Sequence, residues 1–295
     1  MKGGPTSDAP LVSVVCTTYQ HERYIAQALD GFLMQRTDFP FEIIVHDDAS
    51  TDATPRIVRE YAERYPDLIV PVLQAESHFH KPGSVTKAAC DVARGRYIAT
   101  CEGDDHWTDP DKLQLQVDLL EANPDATGCF HYTQQIFDGT GAPGRIIGEH
   151  GGRTRFSVED TFSPYALCHY NAFMFRSHLQ FLPDWYATIK SGDMAIFSMV
   201  AAQGPLLCIP RVMSVYRKHS AGITAADAAE QKAHHLARIR LLKLLDEQHG
   251  FKYHGAAVEA IAVHERELAK LPSAHSSGFR ERVLRKFRSW TGGKP

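Results

Sequence analysis

The sequence predicts an α/β protein built on a mostly parallel sheet flanked by helices, with a helical extension at the C-terminal end. Three observations carry this. Two apolar runs, Leu11-Val-Ser-Val-Val-Cys16 and Phe41-Glu-Ile-Ile-Val-His46, each pass through a polar break into apolar residues at helical spacing. That is the strand–loop–helix unit of a parallel sheet, whose strands are buried on both faces. A third run, Tyr97 to Cys101, stops abruptly at Glu102, Gly103, Asp104 and Asp105. From about Thr224 the composition shifts to Ala, Glu, Lys and His, with Leu236, Ile239, Leu242 and Leu245 at helical spacing.

Size and charge narrow the field. A chain of 295 residues, 43% hydrophobic and 23% charged, can bury a sizeable core. Its net charge of −3 offers no global attraction for nucleic acid. No apolar run approaches the length needed to span a bilayer. Met1 to Pro10 is rich in Gly, Pro and Ser without the apolar centre of a signal peptide, so a frayed tail on a cytoplasmic protein is expected. Cys16, Cys90, Cys101, Cys129, Cys168 and Cys208 sit singly within mostly apolar runs, which predicts reduced, buried thiols.

Taken in order, the first strand breaks at Thr17-Thr18-Tyr19-Gln20, and Tyr24, Ile25, Ala28, Leu29 and Phe32 follow as one helical face. Ligands of open α/β sheets bind at the carboxyl ends of strands, which places Thr17, Thr18 and Tyr19 to meet a nucleotide. The second strand ends in Asp47-Asp48-Ala-Ser-Thr-Asp52, and Thr54-Pro55 opens its helix. One turn needs a single Asx residue, which Asp52 supplies. The Asp47–Asp48 pair is thereby left to accept from a base N–H or a ribose hydroxyl. Leu68 to Leu73 makes a third strand. A helix over 84–94 carries Lys87 toward the strand ends, where it could meet a phosphate, with Gly95 at its C′ position.

The acidic strand end is the chemical centre. Three carboxylates within four residues repel one another unless cations or donors lie among them. Hard oxygen donors suit Mg²⁺ or Mn²⁺, ions that commonly carry phosphates. Asp109-Pro110 reads as N-cap and first residue of the next helix, whose inner stripe is Leu113, Val117 and Leu120. Beyond it, Cys129–Phe137 and 171–176 read as strands. The Gly-rich stretch 138–152 between them is long enough for a lid or an acceptor-binding segment. Ser191-Gly192-Asp193 precedes an apolar helix, Leu206–Ile209 and Val212–Tyr216 close the sheet, and Arg217-Lys-His219 follows as a basic turn.

These motifs together resemble the family-2 glycosyltransferases with the GT-A fold, over roughly Leu11 to Ile223. The resemblance rests on Val12-Ser-Val-Val-Cys-Thr-Thr-Tyr19, Ile43-Ile-Val-His-Asp-Asp-Ala-Ser-Thr-Asp52, Ala93-Arg-Gly-Arg-Tyr-Ile98, Glu102-Gly-Asp-Asp105, Ser191-Gly-Asp193 and Val212-Met-Ser-Val-Tyr-Arg-Lys-His219. It implies a Rossmann-like GT-A domain over 11–224, with a nucleotide-binding half (11–105) and an acceptor half (106–224). It further implies that Thr17, Tyr19 and Asp48 cradle the nucleoside of a sugar nucleotide, with a UDP-sugar favoured. Asp104 would hold the ribose or a metal-bound water, Asp105 would bind Mn²⁺ or Mg²⁺, and His219 would be a further metal ligand or contact the diphosphate. Asp193 matches the family's catalytic base in an inverting transfer of a single sugar to a glycan or lipid-linked acceptor, as in cell-surface glycan synthesis. Glu102 stands where the family often has Asp.

Two other readings compete. A sugar-nucleotide pyrophosphorylase would need a Gly-rich phosphate loop after the first strand, and Thr17-Thr-Tyr-Gln-His-Glu-Arg23 has no glycine. An inactive relative acting as a scaffold would not need Asp104, Asp105 and Asp193 intact. Over 225–295 the extension ends in a basic stretch. There Arg280, Arg282, Arg285, Lys286 and Arg288 flank Val283, Leu284, Phe287 and Trp290, as in an amphipathic helix held on the inner face of a membrane.

Overall fold

The computed structural model describes residues 9–77, 85–177, 182–189, 192–219 and 228–271. His78, His80, Ser191, the segment 220–227 and the basic C-terminal stretch lie outside the described residues.

The apolar runs become strands β1 (Val12–Thr18), β2 (Phe41–Asp47), β3 (Ile69–Leu73) and β4 (Tyr97–Glu102). After them come β5 (His106–Trp107), β6 (Gly128–Phe137), β7 (Pro143–Ile147), β8 (Arg155–Phe156), β9 (Met174–Arg176) and β10 (Leu206–Lys218). One sheet joins them in the order β3-β2-β1-β4-β9-β6-β10-β5, with β7 on β6 and β8 on β10. Pairing is parallel from β3 to β4 and between β6 and β10, while β9 runs antiparallel between β4 and β6. The carboxyl ends of β1, β2, β4, β6 and β10 therefore share one edge.

Helices α1 (Ile25–Leu33), α2 (Thr54–Arg64), α3 (Val85–Asp91), α4 (Lys112–Ala122) and α5 (Gly192–Ala201) cover the sheet. Two cores result, one on each face. Ile25, Leu29, Phe32, Leu113 and Val117 pack with Val12, Val14 and Tyr97. Ile196, Phe197 and Val200 pack with Phe130, Phe173 and Phe175. Helices α6 (Ala228–Gln248) and α7 (His254–Lys270) form a hairpin whose Leu241, Leu242, Leu245, Ala257 and Ala260 join this second core. The extension is thus welded to the domain by apolar burial.

Several local expectations shift. The stretch 138–152 holds no open lid: β7 folds back on β6 as an antiparallel hairpin, its glycines taking the positive φ that the turns demand, as at Gly139 (83°) and Gly148 (90°). The two strands expected at 206–216 are one, continuous through a register irregularity between Ile209 and Val212. It runs on to Lys218, so Arg217 and His219 are buried at a strand end rather than exposed on a turn. Only Met174–Arg176 of the stretch 171–176 is strand, since Tyr170–Ala172 is a 3-10 turn on which His169 accepts from the Asn171 amide at 3.4 Å. Helix α4 starts two residues late, with Asp111 at its N-cap, while Asp109 accepts from the Asp111 amide at 3.0 Å and pairs with Arg211 at 2.6 Å. Helix α3 stops at Asp91, and Gly95 serves close approach: a Cβ there would lie 2.5 Å from the Ser13 nitrogen.

Candidate functional site

The chain reverses direction across the sheet between β1 and β4: β2 and β3 extend from one side of β1, while β4 lies on the other. Such a switch point opens a crevice at the strand ends. Thr17 and Glu102 are the last registered pair across it, and the Gly103 amide donates to the Thr17 carbonyl at 2.9 Å. Gly103 is required by proximity, since a Cβ would sit 2.7 Å from Thr18 Oγ1. That hydroxyl is buried and has no partner among the described residues. Tyr19 is 51% exposed at the mouth, available to stack on a ligand.

The side of the crevice formed by the turns after β1 and β2 is knitted together. The Gln20 amide donates to Ser50 Oγ at 2.8 Å, and its side chain bonds Thr51 Oγ1 at 2.8 Å and the Thr51 and Asp52 amides. Asp47 accepts from the Ser50 amide at 2.9 Å and hydroxyl at 2.6 Å, so its carboxylate closes its own turn. Asp52 accepts from the Thr54 and Glu22 amides. Asp48 is buried and accepts from Ser77 Oγ at 2.7 Å. Lys87 lies exposed on α3 in an ion pair with Asp91 at 2.7 Å.

At the acidic end, Asp104 and Asp105 face different partners. Asp104 meets His219 Nε2 at 3.0 Å and His21 Nε2 at 3.6 Å. Burial opposes its ionisation, but the His219 hydrogen bond and the charge of His21 outweigh it and hold the carboxyl below its usual range. Asp105, 1% exposed, accepts from Asn171 Nδ2 at 2.8 Å and the Arg217 amide at 2.9 Å, with His169 Nδ1 at 3.4 Å. Burial, then the charge of Asp104, push the Asp105 carboxyl well up. Burial and the charges of Asp105, Asp104 and Asp193 do the same to Glu102.

Among the described residues, Glu102, Asp105 and His169 bring one ligand atom each within 4.8 Å of one another. Glu102 Oε2 is buried without a partner, and burial lowers His169 to about 4, leaving a neutral imidazole. Two carboxylates whose ionisation is opposed by burial and mutual repulsion, plus a neutral ring nitrogen, suit a divalent cation, so a metal fits here. The structure therefore gathers Glu102 and His169 around Asp105, while Asp104 and His219 form a separate pair beside it.

Sequence reasoning did not reach His21, His169, Asn171 or Arg217. Asn171 is fully buried, accepts from Thr133 and Ser214, and donates to Asp105. The Arg217 guanidinium bonds the Asp104 carbonyl and Gln27 Oε1, and lies 4.6 Å over the Tyr24 ring. Apart from Arg217, which sits in the Val212–His219 motif, no local pattern marks them, because each acquires its role from a partner far along the chain. Asp193 lies in the first turn of α5, at this same edge, where its charge reaches Glu102 and His169.

Comparison with known proteins gives the family and the fold. A Mycobacterium tuberculosis protein of uncharacterized function is 38% identical over 269 residues, covering 88% of this chain and 76% of its own. Among solved structures, S. aureus TarS in complex with UDP-GlcNAc superposes with a TM-score of 0.55 at 19% identity, covering 77% of this chain and 66% of that one. A mannosyltransferase from Pyrobaculum calidifontis in complex with GDP-Man and Mn²⁺ superposes with a TM-score of 0.60 at 20% identity, covering 97% and 82%. The fold is thus GT-A. The sequence profile of glycosyl transferase family 2 matches residues 13–203, the span that contains β1, the acidic strand end and Asp193, and the chain belongs to that family.

Proposed function

We propose that the chain moves a single sugar from a nucleotide-diphosphate sugar, a UDP-sugar in preference, to an acceptor hydroxyl with inversion. The observation that carries this is the gathering of Glu102, Asp105 and His169, from the end of β4, the turn after it and the turn before β9, with the charge of Asp193, in the first turn of α5, reaching Glu102. Thr17, Thr18, Tyr19, Asp48 and Asp104 hold the nucleoside, Asp47 shaping the turn beside it. Asp193 takes the proton of the acceptor hydroxyl as its oxygen bonds the anomeric carbon. The bond from that carbon to the diphosphate oxygen breaks on the opposite face, and the diphosphate leaves with the electron pair. Mn²⁺ or Mg²⁺ held by Asp105, with Glu102 and His169 or with Asp104 and His219, would supply charge neutralisation for that leaving group. A role in cell-surface glycan synthesis on the cytoplasmic side suits such a donor and a lipid-linked acceptor.

Calorimetry of UDP and GDP with Mn²⁺ tests the reading. We expect binding that chelator abolishes and that Asp105→Asn weakens at least tenfold. Loss in Glu102→Gln exceeding that in His219→Ala assigns the metal to the Glu102 side. Absence of any nucleoside diphosphate binding would sink the reading.

A further inference from the structure

Asn171 is the hub of a buried polar network beneath the acidic strand end. Its Oδ1 accepts from Thr133 Oγ1 at 3.0 Å and Ser214 Oγ at 2.8 Å. Its Nδ2 donates to Asp105 Oδ2 at 2.8 Å and to the Val215 carbonyl at 3.1 Å. A carbonyl oxygen only accepts, so the amide sits one way round, with its nitrogen toward Asp105. The Asn171 main-chain carbonyl accepts in turn from Trp107 Nε1 at 2.8 Å. Asn171, Thr133 and Ser214 are all fully buried. Sheet register brings the two hydroxyls together: past its irregularity β10 pairs Ser214 with Thr133 of β6, and on its other side with Trp107 of β5.

A network that only joined β6, β10 and β5 would close on itself. This one directs a donor out of the seam, to the carboxylate that stands with Glu102 and His169. Asp105 is bonded by Asn171 at one oxygen and by the Arg217 amide at the other, and both donors are uncharged. The Arg217 guanidinium turns elsewhere, to the Asp104 carbonyl and Gln27 Oε1. A cationic side chain bonded to Asp105 would compete with a metal for its charge. An amide fixes the plane of the carboxylate and leaves the charge in place. With one bond on each oxygen, further lone pairs remain for an ion.

We propose that Asn171, held by Thr133 and Ser214, is a positioning residue for Asp105, setting the carboxylate so that with Glu102 and His169 it takes Mg²⁺ or Mn²⁺ in preference to Ca²⁺. It acts through Asp105 and not on the substrate. This rests on the metal-assisted part of the transferase reading. The preference follows from rigidity. Mg²⁺ demands near-ideal octahedral coordination, whereas Ca²⁺ accepts irregular sets of oxygens, so a carboxylate free to swing weakens the smaller ion more.

The test uses the full chain, freed of metal by chelation and dialysis. It is titrated with Mn²⁺ alone and with Mn²⁺ plus UDP, free Mn²⁺ being read by electron paramagnetic resonance, and Mg²⁺ and Ca²⁺ are then added as competitors. We expect the wild type to hold Mn²⁺ and to favour Mg²⁺ over Ca²⁺. Asn171→Leu, similar in size but without the donor, should weaken Mn²⁺ about tenfold to a hundredfold, the usual effect of losing an outer-shell partner. It should weaken Mg²⁺ more than Ca²⁺. Thr133→Val keeps the shape and removes one hydroxyl from Asn171, and should shift both quantities the same way by a few-fold. Melting in chelator is measured beside each titration. A purely structural role lowers the melting temperature and leaves the Mn²⁺ affinity and the Mg²⁺-to-Ca²⁺ ratio of the folded protein at wild-type values; that result in Asn171→Leu overturns the proposal. If Asn171→Leu does not fold, Thr133→Val decides: a few-fold loss supports the proposal, and unchanged affinity and ratio overturn it. Absence of Mn²⁺ binding by the wild type in both titrations overturns it as well. A wild type that binds Mn²⁺ but not UDP is a different result, which overturns the transferase reading while the Mn²⁺-alone titrations still judge Asn171.

Discussion

Two neighbouring parts of the strand edge use their polar groups in opposite ways. In the turns after β1 and β2, Gln20, Glu22, Asp47, Ser50, Asp52 and Thr54 bond one another, and their donors and acceptors are spent on shape. At the end of β4, Glu102 Oε2 and Thr18 Oγ1 are buried without partners among the described residues, and the Glu102 and Asp105 carboxyls are both pushed up. A satisfied network resists change, whereas crowded, unsatisfied carboxylates lower their energy when a cation or donor arrives. The first region is a platform and the second is the place where a ligand gains most.

This contrast can be broken most sharply at Asp193. Asp193→Asn keeps the shape and removes the base, so turnover should fall by roughly 10²–10⁴-fold while nucleoside diphosphate affinity holds. Near-normal turnover in a coupled UDP-release assay would remove Asp193 from the chemistry.

The buried cation under the acidic end gives the next effect. Lys112 is fully buried, donates to Gln116 at 2.7 Å and lies 3.8 Å over the Trp107 ring. Burial lowers its pKa from 10.5 to about 7. Between these values the unfolded chain binds more protons than the folded one, so this lysine makes stability rise with pH across that window. The slope approaches about 1.4 kcal/mol per pH unit at its steepest. Denaturant unfolding at pH 7, 8.5 and 10 should show the rise in the wild type and a flatter profile in Lys112→Met. Parallel profiles would show that the lysine stays charged when buried.

The platform is expected to respond in stability more than in chemistry. Gln20→Ala removes the side-chain stitches between the two turns and should cost about 1–2 kcal/mol, little of it in turnover. A larger loss in turnover than in stability would erase the distinction between the regions. Smallest is Ala49, which holds φ at 62°. Ala49→Gly relieves that conformation and should stabilise by about 0.5–1 kcal/mol, read as a rise in melting temperature.

What was legible in the chain was periodic. Apolar runs of strand length and stripes such as Leu113, Val117 and Leu120 record burial directly, because one face of each element must leave water. The carboxylate cluster was equally plain, being contiguous. The cysteines, all free and buried, followed from their apolar neighbours. Tertiary structure alone decided the pairings. Asn171 meets Asp105 across 66 positions, Arg217 meets it across 112, and Arg94 neutralises the buried Glu42 across 52. It also separated Asp104 from Asp105, which adjacent letters presented as one set. A side chain's partner depends on where distant strands register in the sheet, and burial then sets which charge that partner must compensate. Neither is written in local spacing, so His169 and Asn171 became visible beside Asp105 only once the turn before β9 had come to the strand edge.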